Sequence, residues 1–192
     1  MITASSQSVA DSARLILVTG PTRSGKSDWA ETLAQRSQQP VLYIATASNP
    51  TDDPEWQARI QAHRDRRPPE WMLWEIPLAL SQAVRDAPSH CCILIDALGT
   101  WVANSLTQPD DEWQTTTAEL LATLQQSPNR IILVAEETGW GLVPPYPAGR
   151  LFRDRLGTLT RQVGTLANRV YLVVAGYAVD LQQWGEKLNP ES

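Results

Sequence analysis

The residues best placed to do chemistry form one glycine-rich segment near the amino terminus, Gly20-Pro21-Thr22-Arg23-Ser24-Gly25-Lys26-Ser27. This segment has the G-x-x-x-x-G-K-S spacing, in which backbone N–H groups surround phosphate oxygens and the next helix adds partial positive charge. We expect Lys26 to neutralise the outer phosphates of a purine nucleoside triphosphate. Ser27 is expected to hold Mg²⁺ through those phosphates. The segment predicts an enzyme that transfers part of the triphosphate to a small molecule.

A second candidate is His63, which stands in a cluster of arginines. On a continued helix, Arg59, Arg66 and Arg67 would share its face. A neutral imidazole can attack phosphorus near neutral pH while guanidinium groups stabilise the charge that develops on the phosphate. Spacing alone favours the alternative, an exposed histidine on a solvated helix. The residues by themselves therefore leave the role of His63 open.

Asp96 ends the apolar run Ile93-Leu94-Ile95. Its carboxylate should therefore emerge at the carboxyl edge of a parallel sheet, near the phosphate loop, where such enzymes often place an acid that organises the metal. The alternative is a helix N-cap or turn aspartate. We favour a functional aspartate, with contact to either metal or nucleotide left open.

Strand and helix patterns alternate along the chain and must position these residues. Apolar runs predict strands at 15–18, 41–45, 71–76, 91–95, 131–135 and 170–175, and helical spacing predicts helices at 27–36, 54–65, 78–86, 98–106, 111–126 and 150–167. This order favours an α/β protein with the three-layer, RecA-like P-loop NTPase fold and a mostly parallel sheet. We expect a loose tail over residues 1–14, one catalytic domain over 15–180 and a tail over 181–192.

Composition restricts the class of protein. A chain of 192 residues with 42% hydrophobic and 19% charged residues fits one globular domain. The net charge of −5 argues against nucleic acid as a partner. No apolar run is long enough for membrane insertion, and the amino terminus does not have the pattern of a signal peptide, so we expect a cytoplasmic protein.

Six ordered blocks resemble the bifunctional adenosylcobinamide kinase/adenosylcobinamide-phosphate guanylyltransferases of cobalamin assembly. The first block runs through the phosphate loop, and the second is Tyr43-Ile44-Ala45-Thr46. The most specific is Arg59-Ile60-Gln61-Ala62-His63-Arg64-Asp65-Arg66-Arg67-Pro68. Further blocks lie at 94–104, 137–144 and 152–157. The resemblance extends from about Leu15 to Gly176, nearly the whole chain.

The resemblance implies two reactions. Adenosylcobinamide is phosphorylated on its aminopropanol hydroxyl, and GMP then passes from GTP to that phosphate through a histidyl-GMP intermediate on His63. The resemblance further implies that GTP and ATP are substrates and that Mg²⁺ is the cofactor. It also implies that the protein forms a homotrimer. The implied nucleotide contacts are the phosphate loop together with Ala45, Thr46, Ala47, Arg64, Asp65, Arg66, Arg67, Glu75 and Asp96.

The chain departs from the family pattern at Pro145-Tyr146-Pro147 and at Thr160-Arg161. Two alternative functions stay open, and these departures motivate the second of them. The first is a simple P-loop kinase that acts on another small hydroxyl compound and in which His63 is a surface residue. The second is a regulatory protein that binds GTP without turnover.

Overall fold

The computed structural model describes residues 13–47, 58, 61 and 67–188. Within these ranges, seven strands and six helices have defined bounds and are numbered in chain order. The strands are β1 Leu15–Gly20, β2 Val41–Ala45, β3 Met72–Glu75, β4 Cys92–Asp96, β5 Arg130–Glu136, β6 Arg169–Val174 and β7 Tyr177–Asp180. The helices are α1 Lys26–Arg36, α2 Leu80–Asp86, α3 Leu98–Asn104, α4 Asp110–Gln126, α5 Pro147–Leu166 and α6 Leu181–Trp184.

The strands form one sheet in the order β3-β2-β4-β5-β1-β6-β7. All neighbouring pairs are parallel except β6 and β7. In register, Gly20 pairs with Glu136 and Asp96 pairs with Val134. The ends of β1, β5 and β4 therefore meet at one carboxyl edge, where α/β sheets bind ligands.

The sheet separates two apolar cores because the central strands are buried on both faces. Leu15 and Leu17 of β1 lie in one core with side chains of α2, α3, α4 and α5. Ile16 and Val18 point the opposite way and pack with α1. Helices thus cover both faces of a mostly parallel sheet, which confirms the expected three-layer α/β architecture.

The structure contains every predicted strand, with ends shifted by one or two residues at most positions. It adds the strand β7, which pairs antiparallel with the predicted strand β6, and the short helix α6; neither β7 nor α6 was predicted. The predicted helix at 54–65 lies outside the described residues except at Ala58 and Gln61, both of which are helical. In the described part of the chain, no helix has the length and apolar character needed to cross a bilayer.

Candidate functional site

The phosphate loop connects β1 to α1 and depends on its two glycines. Gly20 has φ 148, and a Cβ atom there would lie 2.2 Å from the carbonyl oxygen of Val173. Gly25 has φ 94 and caps the amino end of α1. Both positions favour glycine because other residues are strained at positive φ. The loop is closed by hydrogen bonds from Ser24 N to Pro21 O, 3.3 Å, and from Glu137 N to Gly20 O, 2.8 Å.

Lys26 and Ser27 form the first turn of α1, directly after the loop. The Lys26 side chain is buried and its Nζ donates to the carbonyl oxygen of Pro21 at 2.7 Å, so the ammonium group lies over the loop. The hydroxyl of Ser24 is buried and has no hydrogen-bond partner among the described residues. A cation, an orphaned hydroxyl and a helix amino terminus at one place are suited to bind phosphate.

Two carboxylates face this loop from neighbouring strands. Asp96 ends β4 and Glu136 ends β5. Oε2 of Glu136 accepts a 3.0 Å hydrogen bond from Gly99 N, at the start of α3. Burial raises the pKa of the Glu136 carboxyl and the nearby Asp96 carboxylate adds to the rise, while the Lys26 ammonium opposes it. Electrostatic coupling thus links Lys26, Asp96 and Glu136 in one site.

Tyr43 holds the Asp96 carboxylate. Its hydroxyl donates to Oδ2 of Asp96 at 2.7 Å, and burial followed by the Asp96 charge raises the pKa of the phenol. The guanidinium of Arg67 lies 4.4 Å from the centroid of the Tyr43 ring, a distance typical of a cation–π contact. Arg67, the last arginine of the arginine-rich block, therefore contacts the same aromatic ring whose hydroxyl binds Asp96.

The segment Ala45–Ala47 leaves the end of β2 and is fixed by α3. The buried hydroxyl of Thr46 donates to Ala97 O at 2.6 Å and accepts from Ala97 N at 3.0 Å. Asn104 Nδ2 donates to Thr46 O at 2.8 Å. This segment lies beside Asp96, since Ala45 pairs with Asp96 in the sheet register.

The structure thus brings most of the predicted site residues to one sheet edge. The phosphate loop, Asp96, Ala45–Ala47 and Arg67 lie on or directly beside the central strands. Glu75 ends β3 and pairs with Ala45, one strand further out. His63, Arg64, Asp65 and Arg66 lie outside the described residues.

Two residues of this site were absent from the sequence-based predictions. Glu136 ends the apolar run Ile131–Ala135 just as Asp96 ends Ile93–Ile95, so the same pattern could have identified it. Tyr43 gave no such signal, because a tyrosine in a buried strand is ordinary core. Its role follows only from the pairing of β2 with β4.

The arrangement fits Mg²⁺ held mainly by nucleotide phosphates. In the ranges that the structure describes, no group of three or more His, Cys, Asp or Glu side chains could hold a metal alone. Mg²⁺ commonly uses one or two carboxylates and phosphate oxygens while keeping several waters. Ser27 and Asp96 are suitable donors for such a site, and Glu136 lies next to it.

Comparison with known proteins gives one family. The profile of the family described as "Cobinamide kinase / cobinamide phosphate guanyltransferase" matches residues 16–181. The chain is 41% identical over 174 residues to the bifunctional adenosylcobalamin biosynthesis protein CobP of Pseudomonas aeruginosa, covering 90% of this chain and 98% of that protein. It is 39% identical over 183 residues to the bifunctional protein CobU of Escherichia coli, covering 88% and 99%.

Solved structures share the fold at low sequence identity. A protein of Pyrococcus horikoshii OT3 matches with a TM-score of 0.54 and 6% identity over 93% of this chain and 88% of that chain. An ATPase of a bacterial type III secretion system matches with a TM-score of 0.51 and 10% identity, over 93% of this chain and 59% of that chain. These matches support the P-loop NTPase fold alone.

Proposed function

The chain belongs to the cobinamide kinase / cobinamide phosphate guanyltransferase family, and we propose that it carries out both reactions of that name. It phosphorylates the aminopropanol hydroxyl of adenosylcobinamide and then transfers GMP from GTP to the new phosphate. The observation that carries the proposal is the phosphate site of Lys26, Asp96 and Glu136, in a chain whose bifunctional relatives match it over nearly their full length.

In the first reaction, the acceptor oxygen bonds to the terminal phosphorus of the triphosphate, and the bond from that phosphorus to the bridging oxygen breaks. The nucleoside diphosphate leaves, and the hydroxyl proton passes to water. Lys26 offsets the charge on the outer phosphates, while the loop N–H groups hold them in place. Ser27 and Asp96 would hold Mg²⁺, which supplies further charge neutralisation when bound.

In the second reaction, an imidazole nitrogen of His63 bonds to the α-phosphorus of GTP and pyrophosphate leaves. An oxygen of adenosylcobinamide phosphate then displaces the histidine. Splitting one displacement at phosphorus into two lowers each barrier. Arg64, Asp65, Arg66 and Arg67 would contact the nucleotide in this step, together with Ala45–Ala47 and Glu75.

The position of Arg67 supports the proposed role of the His63 segment in the second reaction. It follows His63 by four residues and stacks on Tyr43, whose hydroxyl holds Asp96. The carboxyl end of the histidine segment is thereby anchored beside the phosphate site. We also propose that the enzyme is a homotrimer and acts in the cytoplasm, where both nucleotides are supplied.

Purified protein incubated with Mg²⁺, ATP, GTP and adenosylcobinamide tests the proposal directly. Separation and mass analysis of the corrinoids should show adenosylcobinamide phosphate when ATP is the only nucleotide. Adenosylcobinamide-GDP should form when GTP is added. Nucleotide binding without any modified corrinoid would contradict the proposal, and phosphorylation that never proceeds to the GDP product would restrict the protein to a kinase.

A further inference from the structure

A cavity of about 320 Å³ lies between α5 and the sheet, next to the phosphate loop. Leu17 and Thr19 of β1 and Val170 of β6 form its sheet wall. Residues 136–139 form one end, where the chain leaves β5. The site described above does not account for this space.

The helix wall keeps the cavity open. Arg153, Gly157, Thr160, Arg161 and Gly164 line it from α5, and their spacing of three or four residues places them on one face of the helix. A Cβ atom at Gly157 would meet no heavy atom within 4 Å. Because glycine inside a helix costs about 1 kcal/mol relative to alanine, this face retains space at the expense of helix stability.

Several polar groups line the cavity. The hydroxyls of Thr19 and Thr160 are buried and have no hydrogen-bond partner among the described residues. Glu136 supplies a carboxylate, and Arg153 and Arg161 supply positive charge. Buried hydroxyls without partners are destabilising, so a ligand that bonds to them binds favourably. A ligand that complements this lining has a hydroxyl that can bond to the two threonines. Once that hydroxyl is phosphorylated, its negative charge is attracted to the two arginines.

The cavity also adjoins the place where the terminal phosphate is expected. Thr19 directly precedes Gly20, and the N–H of Glu137 donates to Gly20 O at 2.8 Å. Glu136 interacts electrostatically with Lys26. A hydroxyl held at this end of the cavity would lie beside the phosphates that Lys26 binds.

We propose that this cavity receives the hydroxyl-bearing side arm of the acceptor substrate and sets the specificity of the phosphorylation step. The proposal rests on the proposed kinase function. The space fits a short arm but not a corrin macrocycle, which would remain outside. Beyond Gly139, the connection to α5 exposes Trp140, Leu142 and Tyr146, with exposed fractions of 63%, 96% and 75%, and these side chains provide an apolar surface for the ring.

Two variants of α5 test the assignment. Gly157→Leu adds an apolar side chain to the cavity lining at a position where a Cβ atom meets no heavy atom within 4 Å. The substitution also raises helix propensity, so we expect the variant to fold with an unchanged or higher melting temperature. Thr160→Val removes one orphaned hydroxyl at nearly constant volume. Thr158→Val is the matched control, because Thr158 is exposed on the same helix.

Steady-state phosphorylation with varied adenosylcobinamide should show the acceptor KM raised about tenfold or more in Gly157→Leu, and raised by a smaller factor in Thr160→Val. The KM for the nucleotide and the labelling of the protein by GTP alone should stay within about twofold of the unaltered protein. A folded Gly157→Leu variant with an unchanged acceptor KM would overturn the cavity assignment while leaving the proposed function intact. Absence of any phosphorylation by the unaltered protein would instead contradict the proposed function, and this assignment with it.

Discussion

The hydroxyl of Tyr43 donates a 2.7 Å hydrogen bond to Oδ2 of Asp96, joining the middle of β2 to the carboxyl end of β4. The guanidinium of Arg67 lies over the ring of the same tyrosine. One side chain of the core therefore orients the acid of the phosphate site and anchors the end of the arginine-rich block.

Replacing Tyr43 with phenylalanine separates these two roles. Tyr43→Phe keeps the ring beneath Arg67 but leaves Asp96 without this donor, so we expect a loss of about 1 to 2 kcal/mol in unfolding free energy. A several-fold fall in kcat for phosphorylation should accompany it. Urea unfolding and steady-state kinetics measure the two effects. Tyr177→Phe, at an exposed tyrosine of β7, is the control and should change neither.

Lys26 should be indispensable for catalysis but not for folding. Lys26→Ala removes the cation that lies over the loop, and we expect kcat/KM for phosphorylation to fall by about 100-fold or more. The only other lysine, Lys187, is exposed and far along the chain, so Lys187→Ala serves as the control. Equal activity in both variants would exclude the phosphate role of Lys26.

Glu136 should make the protein less stable as pH rises. Its pKa in the folded state is raised, so the folded protein binds the proton more tightly than the unfolded chain does. Its stabilising contribution is full below the ordinary pKa, near 4.5, and is lost as pH rises towards the folded value. Glu136→Gln should therefore be more stable than the unaltered protein at neutral pH.

Chemical unfolding at several pH values checks this prediction. The stability gain of Glu136→Gln should shrink steadily as pH falls towards 4.5. A gain that is independent of pH would mean that packing, and not ionisation of the carboxyl, accounts for the difference. If the variant is less stable than the unaltered protein at neutral pH, the predicted direction of the stability change is wrong.

Much of the fold followed from local patterns. The continuous apolar runs that became β1, β4 and β5 are unambiguous because strands buried on both faces carry no polar alternation. The strand β7 was missed because Tyr177–Asp180 is short, follows Gly176 and is exposed at its start. An edge strand of four residues has too little periodicity to distinguish it from a turn.

Site residues could be predicted where their immediate neighbours in the sequence indicate their role. Lys26 lies within a motif, and Asp96 ends an apolar run. The contacts of Tyr43 with Asp96 and Arg67 depend on which strands become neighbours, and sequence order does not determine that order in a parallel sheet. The cavity under α5 likewise depends on how Gly157 and Thr160 face Thr19, more than a hundred residues away in the chain.

The measurement that most directly tests the two-reaction account is covalent labelling of the protein by GTP that carries a radioactive α-phosphate, in the presence of Mg²⁺. We predict an acid-labile, alkali-stable label that is absent in His63→Ala. The same variant should retain phosphorylation of adenosylcobinamide. His90→Ala, at the exposed second histidine, should label normally. A label that persists in His63→Ala, or no label on unaltered protein that binds GTP, would contradict the histidyl-GMP intermediate.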